Sequence, residues 1–411
     1  MNVIYIAYSC SPDNGSESAI GWNIPKESAK TNRVFVITVA EQRKHIARYL
    51  EEHPIENFTV YYVKDCERFR KVIRKLPFTV RLNLWHRRAL KVVWDICSKE
   101  NIDIIHQITP IEFRSIGNYG KIPNVKFVCG PIAGGQAIPK PLLPYVGRHA
   151  ATERLREMAN KAFCLAYRVS GRLKNCDYVL FANKETKKLL KHCIPETAAG
   201  AVLPEIAVES AVIIKGQQTR EPNTKCKFLV AGRLVYLKGH EFLLDALAEI
   251  PESMDYECRI VGIGPQLEAL RKRCRNTVLE QRVTFAGRIP FHKMPEIYEQ
   301  ADVLVFPTFR EATGSVILEA MARGKPVITI NRFGGAVILD GSTGWLYDSD
   351  SREGYVEQLK NALVSCIINP EEIVRKGCAA RERAKAFTWE KKTDIYRNIY
   401  NRLMENHRNG I

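Results

Sequence analysis

Glu311 and Glu319 stand eight residues apart in FREATGSVILEAMARGKPV, on either side of Thr313-Gly314-Ser315. Ionised carboxylates only accept hydrogen bonds, so such a pair suits a ligand that offers hydroxyl donors. Ile317, Ala320 and Met321 have helical spacing, and Gly324 with Lys325-Pro326 is a stop signal. The helix is therefore expected from Gly314 to Arg323, with Glu311 in the loop before it and Glu319 inside it. Its first N–H groups lack helical partners and favour an anion. A phosphate at this tip would leave each acid beside a polyol hydroxyl. The alternative is an exposed, solvated pair.

Other strand-to-helix junctions add complementary chemistry. KFLVAGRLVYLKGHEFLLDAL places Gly232-Arg233 at a strand end and Lys238-Gly239 before the next helix. Cations beside a helix N-terminus are unfavourable without an anion, and Arg and Lys both suit a diphosphate. Two solvated surface cations are the alternative. CRIVGIGPQLEAL carries Gly262 and Gly264, which alone fit a tight turn. RVTFAGRIPFHKMPEIY ends in Gly287-Arg288-Ile289-Pro290, where a nucleobase edge can meet the backbone. Near the start, Gly15-Ser16-Glu17 follows NVIYIAYSC and reads equally as a plain turn capped by Ser16 or as a phosphate loop.

These junctions need a scaffold. Apolar, β-branched runs alternate with helical patterns: NVIYIAY, RVFVITV, FTVYYV, IDIIHQI, VKFVCGP and DYVLFAN, then KFLVAGR, CRIVGIG, RVTFAGR, ADVLVFP and KPVITIN. Runs without strict alternation suit parallel strands buried on both faces. The fold class is therefore α/β, with doubly wound sheets. The polar stretch Lys215–Lys225 interrupts the pattern and reads as a linker. Two Rossmann-like domains are expected, over 1–215 and 216–385. A C-terminal helix follows over 386–411, with Ile395, Ile399 and Leu403 one turn apart and Trp389 near its start. The 411 residues exceed the comfortable size of one core, which agrees.

The formal charge of +17 implies an anionic partner. The twelve cysteines include no C-x-x-C, which argues against a zinc site and a dense disulfide framework. No leader pattern precedes NVIYIAY and no apolar run reaches membrane-spanning length, so a cytoplasmic location is expected.

The elements GSESAIGW, IDIIHQI, GRLVYLKG, VGIGP, FAGRIP and EATGSVILE, in this order, resemble the retaining nucleotide-sugar glycosyltransferases of family 4, within the group 1 glycosyltransferases. The last carries their Glu-x7-Glu motif. The resemblance implies the B-type fold, two Rossmann-like domains facing a cleft, with the final helix packing back toward the first domain. It implies that the first domain binds the acceptor and the second the donor. Arg233 and Lys238 would hold the diphosphate, Glu319 the ribose and Glu311 the donor sugar. Thr313, Gly314 and Ser315 would cradle sugar and phosphate, with Gly15 and Ser16 approaching the phosphate. His106 would lie near the reacting sugar; a lone histidine after a strand is as often structural. Gly262, Gly264, Arg288 and Ile289 join the donor-binding set.

Two departures stand out. Gly-Phe after the first glutamate is replaced by Ala312-Thr313, and Pro-Asn-Gly-Val before the linker by Leu203-Pro204-Glu205-Ile206. The first bears on donor sugar choice; the second alters a side chain in the cleft or a turn.

The implied reaction moves a sugar from a UDP- or GDP-linked donor to a hydroxyl of a saccharide or lipid-linked saccharide, as in bacterial capsule, O-antigen or exopolysaccharide synthesis. Configuration is retained by a front-face route. The cations and helix tip take the place of a metal, and no cofactor is required. Asp348-Ser349-Asp350 reads as a turn and N-cap. Arg68–Trp94 holds nine Lys or Arg and no acid, with Phe69, Val72, Ile73 and Leu76 at amphipathic spacing. Peripheral docking on an anionic membrane, at the inner face of the plasma membrane, is one reading. A helix packed on its own domain is another, and nucleic acid is not expected. A nucleotide-sugar 2-epimerase and a non-enzymatic nucleic-acid binder are the alternative functions.

Overall fold

The computed structural model describes residues 1–64, 76–213 and 225–408. Most of the expected Phe69–Leu76 helix and of the Lys215–Lys225 linker lies outside these residues. The chain divides into two compact units. One comprises Met1–Gly135, Met158–Ala207 and Trp389–Ile411; the other comprises Gln136–Glu157 and Val208–Thr388.

The first unit holds a seven-stranded sheet among its described residues, in the order β3-β2-β1-β4-β5-β6-β7. Its strands are β1 (Asn2–Ala7), β2 (Arg33–Val39), β3 (Phe58–Val63), β4 (Ile104–Thr109), β5 (Lys126–Ile132), β6 (Tyr178–Phe181) and β7 (Ala199–Val202). Each neighbouring pair is parallel. Val3 to Ala7 and Val34 to Ile37 are fully buried, as continuous β-branched runs require when helices cover both faces. The order turns round between β1 and β4, which makes that gap the topological switch point.

The second unit repeats the plan with six strands in the order β10-β9-β8-β11-β12-β13. They are β8 (Cys226–Ala231), β9 (Tyr256–Val261), β10 (Val283–Gly287), β11 (Val303–Phe306), β12 (Val327–Ile330) and β13 (Gly344–Tyr347). All pairs are again parallel, and the switch point lies between β8 and β11. Phe228, Val230, Phe242, Leu243, Val305 and Tyr355 belong to its core.

Several expectations change. The strands β7 and β13 each span four residues and begin in Ala-Gly and Gly-Trp, too short and too Gly-rich to read as strands beforehand. The segment 136–157 folds with the second unit although it precedes β6. Glu153, almost fully buried, accepts from Tyr236 Oη at 2.9 Å and pairs with Arg310 at 3.1 Å. Tyr145 donates to Asp245 at 2.6 Å, and His149 stacks on Tyr236 at 4.1 Å. The final helix, Trp389–Arg408, belongs to the first unit. Its buried face is Trp389, Lys392, Thr393, Tyr396, Ile399 and Tyr400, whereas Ile395 is 38% exposed. The register expected from Ile395 was therefore rotated.

Candidate active site

The clustered residues all follow strands of the second sheet, and two of those strands, β8 and β11, flank its switch point. Gly232 and Arg233 follow β8, Gly262 and Gly264 follow β9, and Glu311 to Ser315 follow β11. These loops rest directly on one another. Gly262 has φ +140°, and a Cβ there would overlap the carbonyl of Gly232; a Cβ on Gly264 would overlap the carbonyl of Leu234. These two glycines let the β9 loop support the loop that carries Arg233. That is a packing role, distinct from the ligand contact expected of them.

Arg233 is exposed and has no ion-pair partner among the described residues. Lys238 ends a short 3-10 turn, Tyr236–Lys238, and its ammonium pairs with the Glu311 carboxylate. The same ammonium lies 5.1 Å from the centre of the Phe306 ring, at the last residue of β11. The pair thus bridges the switch point, from the loop after β8 to the loop after β11. Its side chains retain 20% and 29% exposure, enough for a ligand to reach both.

The helix runs over Ser315–Ala322, with Gly314 before it at φ +91°. A Cβ on Gly314 would lie 2.7 Å from Phe306 Cζ, so the backbone turns there only as glycine. No side chain caps the helix, which leaves its tip open between Glu311 and Glu319. Glu311 Oε1 accepts from the Ala312 N–H at 3.2 Å. Glu319 lies in the second turn and accepts from the hydroxyl of buried Tyr298 at 2.8 Å. Arg323 stands over that Tyr298 ring at 5.4 Å.

Ala312 and Thr313 are buried, and Gly334 packs against both, donating from its N–H to the Ala312 carbonyl at 2.9 Å. The two residues that depart from the family pattern are thus the ones in contact with Gly334. Arg288 is exposed and Ile289 half-buried, beyond the end of β10. Ser351, rather than an aspartate, caps the helix Arg352–Ile368. Asp348 instead accepts from Arg332 and Tyr355.

In the first unit, Gly15 and Ser16 are exposed after β1, and the helix Glu17–Ser28 begins next to them. Ser16 makes no side-chain cap and has φ +56°. Glu17, outside the expected site set, accepts from the Ile111 N–H at 2.7 Å, across that sheet's switch point. Burial and, less strongly, nearby Glu112 raise its pKa.

His106 is a correction. It sits mid-strand in β4 and is fully buried between Tyr5, Tyr396 and Tyr400. Nε2 donates to the Gly130 carbonyl at 2.7 Å, so Nδ1 accepts from the Tyr400 hydroxyl at 2.6 Å. Burial lowers its pKa to about 3. Both nitrogens are occupied by the protein, and the ring is a core histidine rather than a group near a sugar. Glu205 and Pro204 are likewise interior: Glu205 is 3% exposed and the Pro204 carbonyl accepts from buried Lys392.

Residues 214–376 match the family described as glycosyl transferases group 1. The chain is 28% identical over 236 residues to a D-inositol 3-phosphate glycosyltransferase of Corynebacterium diphtheriae, covering 53% of this chain and 54% of that one. It is 28% identical over 273 residues to a GDP-mannose-dependent alpha-(1-6)-phosphatidylinositol monomannoside mannosyltransferase of Mycolicibacterium smegmatis, covering 61% and 70%. The match spans about half the length of the first of these. Anabaena HepE in complex with UDP-glucose shares the fold over 97% of this chain and 99% of that one, with a TM-score of 0.60 at 15% identity. The fold is the B-type glycosyltransferase fold, and residues 214–376 are similar to the glycosyl transferases group 1.

Proposed function

We propose that the protein is a retaining glycosyltransferase that moves a sugar from a nucleotide diphosphate sugar to a hydroxyl of a saccharide or lipid-linked saccharide. The observation that carries this reading is the Lys238–Glu311 pair beside an uncapped helix tip, at the switch point of the second sheet. Arg233, exposed and without a described partner, supplies a second cation on the same side. Charge growing on a leaving diphosphate would meet Lys238, Arg233 and the N–H groups at Ser315, so the reaction needs no metal in this reading. Glu311 then accepts from the sugar and Glu319 from the ribose. The relatives' names support a nucleotide-sugar donor, GDP-mannose in one and UDP-glucose in another. One is named for a phosphatidylinositol monomannoside acceptor, a glycolipid, which supports a lipid-linked acceptor here; the pathway in this reading is bacterial surface polysaccharide synthesis at the cytoplasmic membrane face.

A thermal-shift panel of UDP, GDP and ADP tests the reading. One nucleotide, UDP or GDP, should raise the midpoint, and Arg233→Ala with Lys238→Ala should abolish the rise. No shift with any nucleotide, or equal shifts in wild type and variant, overturns it.

A further inference from the structure

The helix Ala150–Ser170 exposes a continuous apolar ridge in the part that belongs to the first unit. Met158 is 66% exposed, Leu165 61% and Val169 82%, and Ala162 lies exposed between them. Their spacing of four, three and four residues keeps them on one face. The opposite face holds the helix to its unit. Asn160 donates to the Gly134 carbonyl at 3.0 Å, Tyr167 to that of Phe113 at 2.8 Å, and Cys164 is buried. The ridge therefore has no described neighbour, although its helix is firmly anchored.

The charges around it say what can cover it. Lys161 and Arg168 are exposed along one border. The neighbouring helix, Lys184–Leu190, lies against the anchored face, where Cys164 Sγ approaches the Leu189 carbonyl at 3.8 Å, and adds to the positive charge of this part of the unit. Lys184, Lys188 and Lys191 are exposed on or just beyond that helix. From Met158 to His192 the sequence has eight Lys or Arg against two acids, and one of those, Asp177, is paired with Lys126. Just past the helix end, Arg172 and Arg87 line a recess of about 210 Å³ with Asn83 and Asn118. A second copy of the helix would set Lys161 and Arg168 against each other or against Ala159 and Ala166, with no acid to offset them. An anionic bilayer answers both features: acyl chains take the ridge and headgroups take the cations. No described helix is long and apolar enough to cross a membrane, so the contact lies in the plane.

We infer that Met158, Ala162, Leu165 and Val169 form an in-plane docking ridge for an anionic membrane, bordered by Lys161 and Arg168. The inference rests on the proposed lipid-linked acceptor for its purpose, and its ridge residues lie outside the Arg68–Trp94 stretch in sequence.

Flotation of the full chain with phosphatidylcholine vesicles, with and without phosphatidylglycerol, tests it. Wild type should float with the anionic vesicles alone. Leu165→Glu with Val169→Glu, and Lys161→Glu with Arg168→Glu, should each reduce floated protein by about tenfold or more. Thermal midpoint and nucleotide-induced shift should stay at wild-type values, which certifies folding and separates this test from that of the donor site. Wild type that ignores anionic vesicles, or variants that float like wild type, overturns the inference. So does light scattering that shows a wild-type dimer dissolved by Leu165→Glu with Val169→Glu.

Discussion

Lys238 and Glu311 form an ion pair that joins the loops after β8 and β11. Sequence reasoning gave the two residues separate ligands, but the structure couples them. A diphosphate at the helix tip would compete with Glu311 for the ammonium, freeing the carboxylate for a sugar hydroxyl. Donor binding and sugar recognition would then be one event.

Lys238→Ala and Arg233→Ala should each lower kcat by roughly 10²-fold or more, as expected when a group that meets developing charge is removed. Glu311→Gln keeps the shape but loses the pair, and combining it with Lys238→Ala should cost less than the sum. Steady-state kinetics on purified variants measure this. Activity near wild type for Arg233→Ala and Glu311→Ala would remove the assignment.

Tyr298→Phe deletes the hydroxyl that orients Glu319. Loss of one such hydrogen bond is worth about 1 kcal/mol, close to a fivefold change in affinity. Nucleoside diphosphate Kd by calorimetry should rise by that order, with kcat little changed. An unaltered Kd would show that Glu319 does not hold the ribose.

Three buried histidines are held neutral. Burial lowers His106 and His86 to about 3 and His240 to about 4, against an ordinary 6.5. The unfolded chain binds protons on them first as pH falls below 6.5. Their contribution is therefore complete above that value and is lost progressively toward the folded values, at roughly 1.4 kcal/mol per pH unit for each. Urea unfolding at descending pH should show this slope, reduced in His106→Gln.

Lys392 gives the opposite end of the scale. Burial lowers it to about 7, although nearby Glu205 partly offsets this. Between that value and 10.5 the unfolded chain carries the extra proton, so stability contributed by this site rises with pH and is flat below about 7. Lys392→Met should flatten unfolding free energy across the alkaline range. An unchanged slope would place the ammonium in a wetter setting than its burial indicates.

Local signals carried the second unit well. Apolar runs marked β8 to β12, and the cap and stop signals around Gly314 and Gly324 put Glu311 outside its helix and Glu319 inside it. What stayed hidden depends on residues remote in sequence. Phe306 beneath Lys238, Tyr298 behind Glu319 and Gly334 behind Thr313 come together only once β11 and its neighbours are in register. His106 failed for the same reason. A histidine in IDIIHQI looks alike whether it faces a ligand or Tyr400, 294 residues away.

The chain changes unit at 135/136, 157/158, 207/208 and 388/389. No single cut releases either unit whole. A fragment starting at the polar stretch near residue 215 would carry the loops that hold Arg233, Lys238 and Glu311, yet it would lack Glu153 and Tyr145, leaving Arg310 uncompensated one residue before Glu311. Whole units would have to be made by grafting 136–157 onto the later segment, and transplanting the second unit into a relative would need the same two pieces to travel together.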